Sequence, residues 1–342
     1  MKCKGVLILV GNIFIVLGLL ALLFIGTPPK LAYAKTYKLI FSQDYAEHST
    51  YGKITKMVIK NIEDLTNGRV KVEAHYAGSL FKRNEAIEAV QNGTIQMTIS
   101  SPSNDLQPYE RSWNMFECPL LIRSNERLLR FWNSPAGKEL QARTEAKGIT
   151  CMVPYGTFEG TIFNARHSIK RIEDFKGLKL RVPTSPLCIE WIQALGGQAV
   201  SIPMAEAPSA ISTGMVDGFL YVMWAAVPVW DAQHTSPYWL DVPFASPFGM
   251  IIANRDWLKS LPPDIKAGII KGVNKTRQYH INIADADQEK YEKIYRETPG
   301  TVITEWDEAE MAKAQEIFKE VYKKSADKYD GWYMLNAFLN MK

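Results

Sequence analysis

Cysteine and histidine are scarce in this chain, and the sequence motifs of several enzyme classes are missing. The 342 residues include 4 cysteines and 5 histidines, and no spacing among them resembles a zinc site or a redox CxxC pair. No GxSxG, P-loop, GxGxxG or HExxH motif occurs in the sequence. We therefore predict a protein that is not an enzyme and that has no catalytic residues, no cofactor and no metal ion.

Neither sign of charge dominates the chain. Lysine and arginine number 40 against 36 aspartates and glutamates, which gives a formal net charge of +4. Proteins that bind nucleic acid or an anionic membrane surface usually have a marked basic excess. The composition therefore gives no reason to expect either partner.

Cys118, Cys151 and Cys188 follow the N-terminal segment, and an odd number of cysteines leaves at least one thiol unpaired. We favour the interpretation that all three are small buried hydrophobic residues. A Cys118–Cys151 bridge is the alternative, because an oxidising compartment would allow it.

The first residues have the pattern of an export signal. Lys2 and Lys4 precede an almost entirely apolar run over residues 5–26, and residues 32–34 read A-Y-A, a cleavage site. We predict a signal peptide over residues 1–34 and a periplasmic location. The apolar run is also long enough to cross a bilayer, so an uncleaved membrane anchor is the alternative.

Strand and helix patterns alternate in two separate βαβαβ groups, which require parallel pairing and right-handed crossovers. The first group has predicted strands over 37–41, 70–75 and 95–99, with helices over 54–65 and 85–91. The second has predicted strands over 178–182, 199–202 and 215–222, with helices over 187–195 and 206–213. A single long helix over 127–147 is predicted between the groups.

Later segments are expected to join the two groups into a two-domain α/β protein. A buried strand over 248–253 is expected to return to the first domain, and a helix over 265–296 is long enough to span both domains. The predicted fold has two discontinuous α/β domains with a hinged ligand cleft between them. Domain I comprises residues 35–158 plus 246–285, and domain II comprises residues 159–245 plus 286–342.

Arg181 is the first candidate for ligand binding. Apolar residues alternate with Lys179 and Arg181 along a predicted strand that Pro183 ends. In open α/β sheets the carboxyl end of a strand faces the ligand crevice, where a guanidinium can bind a carboxylate through two parallel hydrogen bonds. The alternative is a salt bridge of Arg181, for example with Glu190.

The segment EDFKGLKLRVP, residues 173–183, is followed by STGMVDG at residues 212–218. Together with YAGSL, AIEAVQNGTIQ, FECPLLI and ANRDWLKSLPPDIK, these segments resemble the DctP-type solute-binding proteins of tripartite ATP-independent periplasmic (TRAP) transporters. The resemblance covers residues 36–330. It implies a periplasmic-binding-protein type II-like fold and an organic acid ligand. It also implies delivery of that ligand to the small and large TRAP membrane subunits, driven by an ion gradient.

The resemblance implies roles for particular residues. The strand arginine that clamps the ligand carboxylate in this family falls on Arg181. A second arginine contact of the family falls on His167, with Arg166 one residue earlier, and Asn164 matches an asparagine of that segment. Whether His167, Arg166 or neither contacts the ligand is left open, and Asn164 could serve the ligand or the turn.

Aromatic side chains near the predicted cleft favour a ring-bearing or extended apolar ligand. Tyr221 and Trp224 are the aromatic candidates in the second domain, and Met204 is expected beside them. The alternative is that these side chains pack in the core or hinge. In the first domain, three polar residues follow predicted strands and are expected to face the same crevice. These residues are Gln43, Tyr45 and Ser101.

Two other functions are alternatives to ligand delivery for transport. An exported enzyme on the same scaffold would need an acid–base pair in the cleft, and His167 is the only evident titratable candidate. A ligand-sensing protein that feeds a signalling partner is the other alternative. In some family members a cation assists the ligand carboxylate, but Asp241 near Trp239 forms no evident ligand cluster, so we predict no metal.

Overall fold

The computed structural model of the protein describes residues 35–157 and 159–341, and it leaves out the side chains of residues 156, 157, 205 and 222–225. The predicted signal peptide over residues 1–34 lies outside the described residues. The strands are β1 (Tyr37–Ser42), β2 (Val70–His75), β3 (Met97–Ser100), β4 (Ile149–Thr157), β5 (Gly160–Asn164), β6 (Lys179–Val182), β7 (Gln198–Ser201), β8 (Gly218–Val222), β9 (Tyr238–Ala245), β10 (Phe248–Asn254) and β11 (Val302–Thr304).

Helices connect and cover the strands. They are α1 (Thr50–Leu65), α2 (Arg83–Gln91), α3 (Pro102–Asp105), α4 (Asn125–Asn133), α5 (Pro135–Ala146), α6 (Pro186–Ala194), α7 (Ala207–Ser212), α8 (Met223–Trp230), α9 (Ala232–Thr235), α10 (Arg255–Ser260), α11 (Pro263–Glu297), α12 (Glu308–Lys328) and α13 (Trp332–Asn340). Short 3-10 helices occupy Arg111–Glu117, Ile172–Phe175 and Met204–Glu206.

The strands form two mixed sheets. The order of the first sheet is β2-β1-β3-β10-β4, and the order of the second sheet is β11-β9-β5-β8-β6-β7. Strands β1 and β3 are parallel in the first sheet, as are β6, β7 and β8 in the second. The α/β class and the two-sheet architecture are therefore as predicted.

Strand β10 belongs to the first sheet, although it follows β5 to β9 of the second sheet along the chain. It lies antiparallel between β3 and β4, with Met250 opposite Ser100 and Ile252 opposite Cys151. All seven residues of β10 are buried, which explains their continuous apolar pattern. The buried strand predicted over residues 248–253 is confirmed, and it lies in the first sheet.

The long helix is also as predicted. Helix α11 has 35 residues, and it packs against α1 and β4 as well as against α8, which follows β8 of the second sheet. Gly272 allows the close approach of α1, because a Cβ atom there would lie 2.9 Å from the backbone nitrogen of Ile62. Helix α11 thus contacts elements next to both sheets.

The single helix predicted over 127–147 is wrong. The structure has two helices, α4 and α5, which meet at Ser134. Ser134 is extended, with φ −72° and ψ 164°, because a residue before proline is disfavoured in the α conformation. Its Oγ accepts a hydrogen bond from the backbone nitrogen of Gly137 and so caps α5.

One apolar cluster extends across both sheets. It includes Ile162 and Leu240 of the second sheet and Met250 and Ile252 of the first. The C-terminal helix α13 joins it through Phe338, which stacks with another ring of the same cluster. Cys118, Cys151 and Cys188 are free thiols. No helix in the described part of the chain is long and apolar enough to cross a membrane.

Candidate ligand-binding site

A cavity of about 260 Å³ is lined by residues from both sheets and their loops. Tyr45 and Ser101 come from loops that follow β1 and β3, whereas Arg181 and Tyr221 come from β6 and β8. Met204, in the 3-10 helix after β7, also lines it. The cavity therefore brings together five of the side chains that the sequence singled out.

Arg181 lies inside a strand that has a neighbour on each side. Strand β6 pairs with β7 and β8, and Arg181 is only 2% exposed. Its Nε donates a hydrogen bond of 2.8 Å to the carbonyl oxygen of Ile202, and Nη1 lies 3.5 Å from the carbonyl oxygen of Leu220. These contacts orient the guanidinium without neutralising it.

No carboxylate of the described residues forms an ion pair with Arg181. Glu190, the partner that the sequence suggested as an alternative, accepts instead from Lys328 Nζ at 2.6 Å. Burial lowers the pKa of Arg181 to about 10, a value at which the side chain is still charged at neutral pH. Arg181 is thus a buried cation that faces the cavity, with no acidic partner among the described residues.

Aromatic faces stabilise this buried charge. The guanidinium carbon lies 5.5 Å from the ring centroid of Tyr221 and 5.2 Å from that of Trp230, which are cation–π distances. The two rings stack on each other with centroids 4.6 Å apart. Tyr221 Oη donates to Met204 Sδ at 2.9 Å. The side chain of Trp224 lies outside the described part of the structure.

A second polar group lines the cavity from helices and a loop that follow strands of the first sheet. Arg83 Nε lies 3.6 Å from Asp105 Oδ2 and 3.8 Å from Asp44 Oδ2, and Arg83 Nη2 donates to Tyr45 Oη. The ring of Tyr45 stacks on Tyr51 with centroids 4.4 Å apart. Arg83 is therefore held between two carboxylates and a hydroxyl.

Glu117 also lines the cavity and is 6% exposed. Burial raises the pKa of its carboxyl group, while hydrogen bonds from Ser103 and Cys188 lower it. Cys188 Sγ donates to Glu117 Oε2 at 3.2 Å. The cavity thus contains a carboxyl group that favours its neutral form more than an exposed glutamate does.

The sequence interpretation missed Arg83, Asp105 and Glu117 as cavity residues. Arg83 begins α2, Asp105 ends α3 and Glu117 ends a 3-10 helix, so none stands at the end of a strand. A weak signal was present for Asp105, because it follows the Ser101 loop by four residues. Its carboxylate accepts from the backbone nitrogen of Ser101 at 2.6 Å.

Asn164, Arg166 and His167 are not among the described residues that line this cavity. Asn164 Oδ1 accepts from the backbone nitrogens of Arg166 and His167 at 2.9 and 3.0 Å, which closes the turn after β5. Arg166 Nε lies 2.8 Å from Asp217 Oδ1, and His167 is exposed. This geometry favours a structural role for the three residues.

Gln43 is buried, and it is not among the described residues that line the cavity. Its backbone nitrogen donates to the carbonyl oxygen of His75 at 2.9 Å. Within residues 35–157 and 159–341, neither amide atom of its side chain has a hydrogen-bond partner. Gln43 therefore lies close in sequence to Tyr45 but outside the cavity wall.

Asp241 and Trp239 are engaged in structural contacts. Arg296 Nη2 lies 3.3 Å from Asp241 Oδ2, and Trp239 Nε1 donates to Thr161 Oγ1 at 3.0 Å. No group of three or more histidine, cysteine or acidic side chains suited to a metal ion occurs among the described residues.

Comparison with known proteins identifies similar sequences and folds. The model of bacterial extracellular solute-binding protein family 7, DctP, matches residues 41–329. The C4-dicarboxylate-binding periplasmic protein DctP of Rhodobacter capsulatus is 26% identical over 304 residues, which cover 87% of this chain and 89% of that protein.

Solved structures share the fold. A TRAP periplasmic solute-binding protein from Ochrobactrum anthropi has a TM-score of 0.82 at 19% identity and covers 90% of this chain and 94% of its own. The sugar acid binding protein from Advenella mimigardefordensis, in complex with galactonate, has a TM-score of 0.77 at 21% identity. That match covers 89% of this chain and 97% of the other.

Proposed function

This chain belongs to the DctP family, family 7 of the bacterial extracellular solute-binding proteins, and we propose that it captures an organic acid through a carboxylate–Arg181 pair. The observation that carries the proposal is a buried guanidinium that faces a cavity without an acidic partner among the described residues. A ligand carboxylate would supply the missing charge through hydrogen bonds from the Nη groups.

Closure around the ligand explains how the pair would select anions. The two proposed domains, residues 35–158 plus 246–285 and residues 159–245 plus 286–342, close on the cavity from opposite sides. Water is then excluded from Arg181, and a buried charge without a partner is costly. A neutral ligand would leave that cost in place, so closure favours a carboxylate.

The relatives support an organic acid as the ligand. The protein of R. capsulatus is named for C4-dicarboxylate binding, and the protein of A. mimigardefordensis is solved with galactonate. We infer that the chain acts outside the cytoplasm and delivers its ligand to TRAP membrane subunits, with an ion gradient as the energy source. The protein binds and releases its ligand unchanged.

A thermal-shift screen tests this proposal. The purified chain without residues 1–34 is melted with organic acids and with the amides of the same acids. A ligand that binds only the folded state raises the melting temperature with its concentration. We expect an acid to stabilise and its amide to have little effect. Equal stabilisation by amides would contradict the carboxylate–Arg181 pair.

Recovery of the ligand separates binding from catalysis. The stabilising acid is incubated with the protein and then analysed by mass spectrometry. We expect the acid to be recovered unchanged, because the proposed role contains no chemical step. Steady conversion of the acid would instead support an exported enzyme.

A further inference from the structure

Four ionisable groups apart from tyrosines line the cavity in the described part of the chain. They are the guanidinium groups of Arg83 and Arg181 and the carboxyl groups of Asp105 and Glu117. The balance of these charges limits how much negative charge a bound ligand can carry, because a buried charge without a partner is costly.

Arg83 offers little uncompensated positive charge. Its Nε lies within 3.6 Å of one oxygen of Asp105 and within 3.8 Å of one oxygen of Asp44. The side chain of Asp105 is only 3% exposed, so its interaction with Arg83 is weakly screened by water. Arg83 and its two acidic neighbours together carry no positive excess.

Glu117 cannot compensate a second negative charge either. In its ionised form it repels an anion, and in its neutral form it offers one hydrogen bond and no charge. A ligand hydroxyl suits both forms, because it can donate to a carboxylate or accept from a carboxylic acid. The same hydroxyl chemistry suits Asp105.

We propose that the ligand of this cavity is a monocarboxylate with hydroxyl groups away from the carboxylate, and that the cavity rejects dicarboxylates of the same size. The inference rests on the proposed function, since Arg181 holds the one carboxylate. Asp105 and Glu117 then bind hydroxyls, and the stacked rings of Tyr45 and Tyr51 cover the carbon skeleton. This selectivity differs from that in the name of the R. capsulatus relative.

Matched pairs of acids test the inference by isothermal titration calorimetry. Each pair replaces a terminal hydroxymethyl group of a monocarboxylate with a second carboxylate, so that the carbon skeleton keeps its length. The pairs are gluconate and glucarate, γ-hydroxybutyrate and succinate, and 4-(hydroxymethyl)benzoate and terephthalate. We expect the monocarboxylate of at least one pair to bind at least about tenfold more tightly than its dicarboxylate.

The outcomes separate this inference from the proposed function. If dicarboxylates bind as tightly as their partners or more tightly, the charge balance is wrong but an organic acid is still the ligand. If no member of any pair binds, and the broader acid screen also fails, the proposed function and this inference both fail.

Two variants test the charge balance itself. Asp44→Asn removes one carboxylate from Arg83 at a side chain that is 32% exposed, so the fold should tolerate it. Glu117→Gln removes the buried carboxyl group. Asp44→Asn should reduce the preference for the monocarboxylate by about threefold or more, because the wall becomes more positive. Glu117→Gln removes charge only where the carboxyl group is ionised, so its effect on the preference should grow as the pH rises.

Glu320→Gln is the matched control, because it removes a carboxylate from a side chain that is 64% exposed and paired with Lys323. It should leave the preference unchanged. Melting curves without ligand establish that each variant is folded. An unchanged preference in folded Asp44→Asn and Glu117→Gln would overturn the inference.

Discussion

Arg181 Nε donates a hydrogen bond to the carbonyl oxygen of Ile202 over 2.8 Å. Ile202 follows β7, which pairs with β6 in parallel register, so the end of the neighbouring strand holds the guanidinium in place. Nη1 makes only a long contact of 3.5 Å with the carbonyl oxygen of Leu220. In the proposed complex, the ligand carboxylate would accept two parallel hydrogen bonds from the Nη groups.

The ring of Tyr221 should matter more for ligand affinity than its hydroxyl group. Tyr221→Phe removes the weak hydrogen bond to Met204 Sδ but keeps the ring beside Arg181. Tyr221→Ala also removes the cation–π contact and the stack with Trp230. We expect the alanine variant to lose about 1–2 kcal/mol of binding free energy and the phenylalanine variant to lose much less. Calorimetry with a stabilising acid would measure both, and equal losses would assign the effect to the hydroxyl.

Gly272→Ala should destabilise the packing of α11 on α1. The added Cβ would lie 2.9 Å from the backbone nitrogen of Ile62, so a backbone rather than a flexible side chain would have to move. We expect the free energy of unfolding to fall by about 1–3 kcal/mol, the usual effect of overpacking. Denaturant unfolding measures the change. Asn274→Ala, at an exposed position of the same helix, is the control and should have almost no effect.

Asp241 should make stability depend on pH. Burial raises the pKa of Asp241 from 3.8 to about 6, and Glu292 adds repulsion that Arg296 partly offsets. The native state therefore keeps a proton that the unfolded state has released between these values. The contribution of Asp241 is fully present below pH 3.8 and falls as the pH rises to about 6, by a free energy of order 2–3 kcal/mol.

The variant Asp241→Asn isolates this effect from other titrating groups. Its side chain is neutral at every pH, so the difference in unfolding free energy between variant and wild type should grow in favour of the variant as the pH rises. Denaturant unfolding at a series of pH values measures that difference. A difference that does not change with pH would show that Asp241 has an ordinary pKa in the native state.

Local sequence patterns were sufficient for strands β6 and β10 and for the position of Arg181 within β6, whereas β5 and β11 were not predicted. Alternation over residues 178–182 and the stop at Pro183 predict β6, and the continuous apolar pattern of residues 248–253 predicts β10. The break at Ser134 was detectable from Pro135, but the helical pattern on both sides concealed it. Backbone restriction by a proline took precedence over side-chain periodicity at this position.

The rest of the cavity could not be predicted locally. Arg83 and Asp105 stand on separate helices that follow β2 and β3, and the sheet order β2-β1-β3 brings these helices to the same cavity. Glu117 stands in an apolar segment, where the sequence alone does not show that its carboxyl group reaches a cavity. Conversely, Asn164 Oδ1 accepts hydrogen bonds from the backbone nitrogens of Arg166 and His167 and so closes its own turn. A match of sequence motifs does not reveal this local role.

The most direct test of the account is calorimetric titration of the best stabilising acid into wild type, Arg181→Ala and Arg166→Ala. Arg166 is the control, because it is an exposed arginine paired with Asp217 outside the described cavity wall. The account predicts a loss of about 2–5 kcal/mol in binding free energy for Arg181→Ala and almost none for Arg166→Ala. Unchanged affinity in folded Arg181→Ala would contradict it.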